Sequence, residues 1–235
     1  MNIGIQSLFE DVHTLCRDYK TTDDVHFTIA VTSSDIGFER EKAAREDFIE
    51  GIAARNYPDG YLETLAVYRK IAEKLPEYDT FLFHGSAIAV DGAAYIFTAK
   101  SGMGKSTHAR LWRELLGDRA VMVNDDKPLI RVHPDGTATV YGTPWDGKHH
   151  LNSNIAVPVR AICILERAVE NRIRGITPSG ALPMFLQQVY RPMNAAMMAQ
   201  TLHLIDRLAG QVKFYRLGCN MNICAAELSY NTMKG

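Results

Sequence analysis

The run Tyr95-Ile96-Phe97-Thr98-Ala99-Lys100-Ser101-Gly102-Met103-Gly104-Lys105-Ser106-Thr107 decides how this chain is read. Tyr95–Thr98 has the aromatic and β-branched composition of a buried strand. A glycine-rich loop follows. Beyond it, Leu111, Trp112 and Leu115 fall on one side of a helix, and Gly117 suits that helix's C-terminal end. Strand, loop and helix in this order fit the phosphate-binding pattern GxxxxGK[ST] at every position but the first, where Ala99 replaces glycine. In such a loop Ser101, Gly102, Met103, Gly104, Lys105, Ser106 and Thr107 surround the phosphates. Gly102 and Gly104 let successive N–H groups converge on phosphate oxygens, and the helix adds its positive N-terminal end. Lys105 can reach the β- and γ-phosphates, and the Ser106 hydroxyl can ligate magnesium. The expected ligands are therefore ATP or ADP with Mg2+. Ala99 implies that its backbone avoids glycine-only angles, or that the loop is slightly altered.

Working upstream, Phe81–Val90 and Ala93–Thr98 read as two strands joined by Asp91-Gly92, a strong hairpin signal. Downstream, Val121–Val123 reads as a short buried strand ending in Asn124-Asp125-Asp126. Phosphoryl transfer needs carboxylates for the metal and for the nucleophile's proton. One of Asp125 and Asp126 can serve each purpose; alone, the pair would read as an acidic turn before Pro128. His84, a lone histidine beside aromatics, would by itself read as core. Ile130–His133 and Thr137–Tyr141 flank Pro134-Asp135-Gly136 as a second hairpin, and Val159–Leu165 is another buried strand. From about Ser179 the pattern is mostly helical, except Val212–Leu217.

The N-terminal part reads differently. Ile5, Leu8, Val12 and Leu15 recur at helical spacing, and Val25–Val31 reads as a strand. Ser34–Asn56 reads as a charged amphipathic helix with Phe48, Ile49 and Ile52 inward. Tyr57-Pro58-Asp59-Gly60 is a turn signal, and Tyr61, Leu65, Tyr68, Ala72 and Leu75 mark a face of the next helix, ending before Pro76. The expected organisation is an α+β segment over 1–78 and a nucleotide-binding core over 79–235.

His84-Gly85, the Asp91-Gly92 hairpin, SGMGKST and VNDD together resemble the catalytic core of HPr kinase/phosphorylase, which shares its fold group with phosphoenolpyruvate carboxykinase. The match covers about residues 80–167, with Ile162–Glu166 resembling the family's next core strand. The resemblance implies a mixed α/β sheet with a P-loop and helical flanks, and ATP-dependent phosphorylation of a hydroxyl on a protein, a peptide or a small molecule. It also implies that Lys105 and Ser106 bind phosphate and magnesium, that Asp125 is the catalytic base assisted by His84, and that Asp126 supports the metal. The family's Arg-Gly-Leu-Gly signature, tied to its phosphorylase function, is replaced here by Tyr141–His150, which argues against HPr as the substrate. Within that stretch Gly142–His150 is a shaped loop in which Lys148 could meet an acidic group, or a plain surface turn.

Composition narrows the alternatives. Net charge is −1 over 235 residues, so there is no basic field for nucleic acid or an anionic membrane. Apolar runs are too short to span a bilayer, and no signal peptide is visible, so a cytoplasmic location is expected. Cys16, Cys163, Cys219 and Cys224 read as reduced thiols, with Cys163 in the core. The Met193–Met198 stretch reads as core filling. A nucleotide switch or ATPase is the second functional reading, and a carboxykinase, which needs a second metal cage, a weaker third. The acceptor and any homo-oligomerisation are left open.

Overall fold

The computed structural model describes residues 1–235, which divide into two units, Met1–Lys74 and Leu75–Gly235. The first unit runs β1 (Ile3–Gln6), α1 (Glu10–Leu15), β2 (Phe27–Ala30), α2 (Ser33–Glu50) and α3 (Asp59–Lys74). β1 and β2 pair in parallel, with Ile3 opposite Phe27. Ile5 therefore lies on a strand, and only Val12 and Leu15 of the expected helical set are helical. Asp59 and Gly60 open α3 rather than forming a turn. The buried positions of α3 include Leu62, Ala66, Val67, Ile71 and Ala72; of the expected face, Ala72 and, just past the helix, Leu75 are buried, Leu65 and Tyr68 are half-buried, and Tyr61 is exposed.

The expectation for α2 is overturned. Phe48 and Ile49 are 85% and 82% exposed. Ile52 lies outside the helix, exposed beyond the left-handed Gly51 cap. The buried positions of α2 are Ile36, Glu39 and Asp47. Arg69 on α3 bonds both Glu39 and Asp35, Lys70 bonds Asp35 at 2.8 Å, and Asp47 pairs with Arg55. Ion pairs, not an apolar stripe, set which side of α2 faces α3, because a buried charge without a partner is far costlier than an exposed apolar side chain.

The second unit runs β3 (Thr80–Leu82), β4 (Ser86–Val90), β5 (Ala93–Thr98), α4 (Lys105–Leu116), β6 (Ala120–Asn124), β7 (Leu129–Val132), β8 (Ala138–Tyr141), β9 (Ala156–Arg167), β10 (Arg172–Ile176), α5 (Pro178–Gln188), α6 (Ala195–Ala209), β11 (Lys213–Cys219) and α7 (Ile223–Met233). The single strand expected over Phe81–Val90 is two, separated at Phe83–Gly85, where Phe83 N–H bonds Pro128 O and Gly85 N–H bonds Asp126 O. β10, not expected from the sequence, pairs antiparallel with β11. Its alternation is weak because no residue of Arg172–Ile176 is fully buried. Of the Met193–Met198 stretch expected to fill core, Met193 is 77% exposed, while Met197 and Met198 are half-buried.

The sheet is nine-stranded and mixed, in the order β3-β7-β8-β9-β5-β4-β6, with β11 beside β9 and β10 outside it. The Asp91-Gly92 turn joins β4 to β5 with φ of 50° and 79°, the left-handed pair that a tight hairpin requires. β5 and β11 both run parallel to β9. Alternate residues of the central strands face two separate cores. Ile96, Ile162 and Phe214 join Phe185 of α5 and Leu204 of α6. Phe97, Cys163 and Leu217 join Trp112 of α4 and Met233 of α7. A sheet covered on both faces explains why its strands read as continuous apolar runs.

The α4–α7 contact is pinned by Ser229, whose hydroxyl accepts from Trp112 Nε1 at 2.8 Å and lies 3.1 Å from His108 Nε2. His108 is buried, and burial lowers its ring pKa from 6.5 to about 4. Below pH 6.5 the unfolded chain takes up this proton while the native state does not until about pH 4. Stability should therefore fall across that window, by up to about 3 kcal/mol from this group. Urea unfolding of the protein and of His108→Gln should show a shallower acid decline in the variant; identical slopes would remove His108 as the cause.

Candidate functional site

β5 ends at Thr98, the chain loops through Ala99–Gly104, and α4 begins at Lys105. Ala99 is fully buried in the α4-side core and does not adopt a positive φ. Gly102 and Gly104 do, at 74° and 102°, in open space where nothing but backbone strain excludes a side chain. Ser101 and Ser106 are exposed, and Met103 packs partly on the core. Thr107, in the first turn of α4, is half-buried.

Lys105 is half-buried and forms no ion pair; its one hydrogen bond, to Ala99 O, is long at 3.4 Å. Burial lowers the ammonium's pKa, and the negative charge of Asp126 partly restores it, so the lysine and this carboxylate share one electrostatic environment.

The two aspartates at the end of β6 differ sharply. Asp126 receives His84 Nε2 on Oδ1 at 3.0 Å and Lys127 Nζ on Oδ2 at 2.9 Å. Burial opposes its ionisation, but these two partners outweigh burial and hold its carboxyl well below the usual range. Asp125 is 4% exposed, and burial pushes its pKa up, with Asp146 and Asp126 adding to the rise. Its Oδ1 accepts the Gly147 N–H at 2.6 Å, and its Oδ2 is buried with no partner. The expected assistance of Asp125 by His84 is thus corrected: the imidazole meets Asp126. The cause is the break before β4, where Gly85 N–H bonds Asp126 O and fixes His84 alongside that residue.

Asn124 builds this turn. Its Oδ1 accepts the N–H groups of Asp126 and Lys127 at 2.9 and 2.6 Å, and its Nδ2 donates to Thr143 O at 3.0 Å. The Asp125-Asp126 turn and the Gly142–His150 loop are thereby tied together through Asn124. Gly142 is required there: a Cβ would lie 1.9 Å from Ser153 O. Asp146 is anchored by Asn152 Nδ2 at 2.6 Å and His150 Nδ1 at 3.1 Å, which sets the next amide, Gly147, against Asp125. A Cβ on Gly147 would lie 3.0 Å from Asp125 Oδ2. Lys148 and His149 are exposed, and His149 lies near enough for its charge to oppose the rise of the Asp125 pKa.

Residues 61–223 match the family described as SynChlorMet cassette protein ScmC. The chain belongs to the ScmC family. No curated protein matches this ScmC chain. A solved Hpr(Ser) kinase/phosphatase from Coxiella burnetii is similar over 66% of this chain and 99% of its own, at TM-score 0.36 and 10% identity, a likeness too loose to carry a functional argument.

Four residues of the ScmC site have no signal in the sequence strong enough to single them out: Asn124, Lys127, Gly147 and Arg167. The last donates Nη2 to Gly102 O at 2.6 Å from the end of β9. Asn124 had a faint one, since asparagine readily bonds backbone N–H groups two and three residues on. No group of three or more His, Cys, Asp or Glu side chains could hold a metal ion by itself, and no helix is long and apolar enough to cross a membrane.

Proposed function

We propose that this ScmC chain is a phosphotransferase that moves the terminal phosphoryl group of ATP, with magnesium, to a hydroxyl. The observation that carries the reading is the unpaired, half-buried Lys105 at the start of α4, beneath a loop whose two left-handed glycines turn its backbone. A partly desolvated cation with no carboxylate partner is unfavourable unless an anion visits it. The neighbouring α4 N-terminus adds unsatisfied N–H groups of the same polarity.

Magnesium fits the residues present, because it keeps several waters and needs few protein ligands beside the phosphates. Ser106 and Asp126 would hold it; both Asp126 oxygens already accept hydrogen bonds, which favours contact through water. Bound there, magnesium would supply charge neutralisation for the phosphates. Lys105 would add its charge at the transferring group. Asp125, with a free oxygen and a raised pKa, is suited to take the acceptor's proton. His84 and Lys127 would keep Asp126 ionised.

The test incubates the protein with magnesium, γ-labelled ATP, and panels of serine peptides and small hydroxyl compounds, read by mass spectrometry. Label on an acceptor is the expected result. ATP consumption that no acceptor changes would replace transfer by hydrolysis, and absence of MgATP binding in calorimetry would end the reading altogether.

A further inference from the structure

β5, β9 and β11 lie side by side and parallel, so their carboxyl ends open on one edge of the sheet, the edge where α/β proteins place ligands. The glycine loop leaves β5 on that edge. The other two ends continue as Arg167–Asn171 and Cys219–Asn222, which are tied together. Ala168 N–H bonds Cys219 O at 3.0 Å, Asn220 N–H bonds Asn171 Oδ1 at 2.9 Å, and Asn220 Nδ2 bonds Val169 O at 2.9 Å.

This braced pair of turns displays Val169 and Met221, 91% and 79% exposed. Singly such side chains mean little, but here two sit on turns bonded to each other beside a guanidinium. Arg167, exposed and bonded only to Gly102 O, bridges the turns to the glycine loop. The turns are thus linked to the loop through Arg167, and they carry two exposed apolar side chains beside the exposed Glu170–Arg172 ion pair. Those are the properties that a flat, weakly polar ring system attached to a polyphosphate would meet. A protein or lipid surface would need a larger apolar area.

We propose that these turns are the nucleoside subsite of the chain, with the base resting on Val169 and Met221 and Arg167 spanning from the base to the phosphate-bearing loop; this rests on the phosphate reading of Ala99–Ser106. Recognition there is by apolar contact, because Asn220 uses its side-chain amide to hold the turns and its Oδ1 to accept Asn222 N–H.

Calorimetry with MgATP and with magnesium tripolyphosphate separates the two ideas, since tripolyphosphate needs only the loop. ATP should bind at least about tenfold more tightly than tripolyphosphate. The double variant Val169→Ser, Met221→Ser should shrink that preference about tenfold, the equivalent of losing part of two aliphatic contacts, with tripolyphosphate affinity unchanged. Arg167→Ala should weaken both ligands. Both substituted side chains of the double variant are exposed, so its thermal melt should overlay that of the parent. A preference for ATP that persists in the double variant overturns the subsite. Failure of the parent to bind either ligand overturns the phosphate reading beneath it.

Discussion

Lys105→Ala should weaken MgATP binding about 100-fold while leaving the melting temperature unchanged or slightly raised. The loss corresponds to about 3 kcal/mol, the scale of a charge-assisted hydrogen bond in a partly desolvated site. The unchanged stability follows from what Lys105 does in the free protein. It bonds Ala99 O at 3.4 Å and makes no ion pair, while burial lowers its pKa, so its charge is mildly unfavourable to the fold. Alanine also favours the first turn of α4. A group that costs the free protein stability and serves only the ligand has this signature. Equal affinity in parent and variant, measured by calorimetry, would remove the glycine loop as the nucleotide site.

Asp125→Asn should lower phosphoryl transfer by about 10²–10⁴ and leave MgATP affinity within a few-fold. Asparagine has the same shape and can keep its carbonyl oxygen on the Gly147 N–H, the 2.6 Å bond that orients the parent side chain. What it loses is the buried Oδ2, which has no partner in the protein and is free to take a proton. Asp126→Asn should act differently. It removes the charge that His84 and Lys127 both address, so it should raise the magnesium concentration needed for half-maximal rate, and His84→Ala should show a weaker form of that same defect. Full transfer activity in Asp125→Asn, with loss in Asp126→Asn at any magnesium concentration, would exchange the two roles. If His84→Ala altered the rate without altering the magnesium requirement, the His84–Asp126 pairing would not be what matters.

The chain by itself determined the elements whose signals are local. The strand, glycine loop and α4 were legible because a run of apolar residues, two glycines and a 3.6-residue period lie within about two dozen residues. The hairpins at Asp91-Gly92 and Pro134-Asp135-Gly136 were legible because positive φ is nearly a property of residue type there. Tertiary structure alone decided the pairings that give the site its chemistry. His84 meets Asp126, Gly147 meets Asp125, and Arg167 meets Gly102 across 42, 22 and 65 positions of chain. It also turned Phe48 and Ile49 outward, because α2 buries the carboxylates that Arg69 and Arg55 satisfy. Hydrophobic periodicity reports only the average cost of exposing one side chain. Which of two adjacent carboxylates is paired and which is left bare depends on a backbone break and a distant amide, and no local sequence pattern encodes the distance between them.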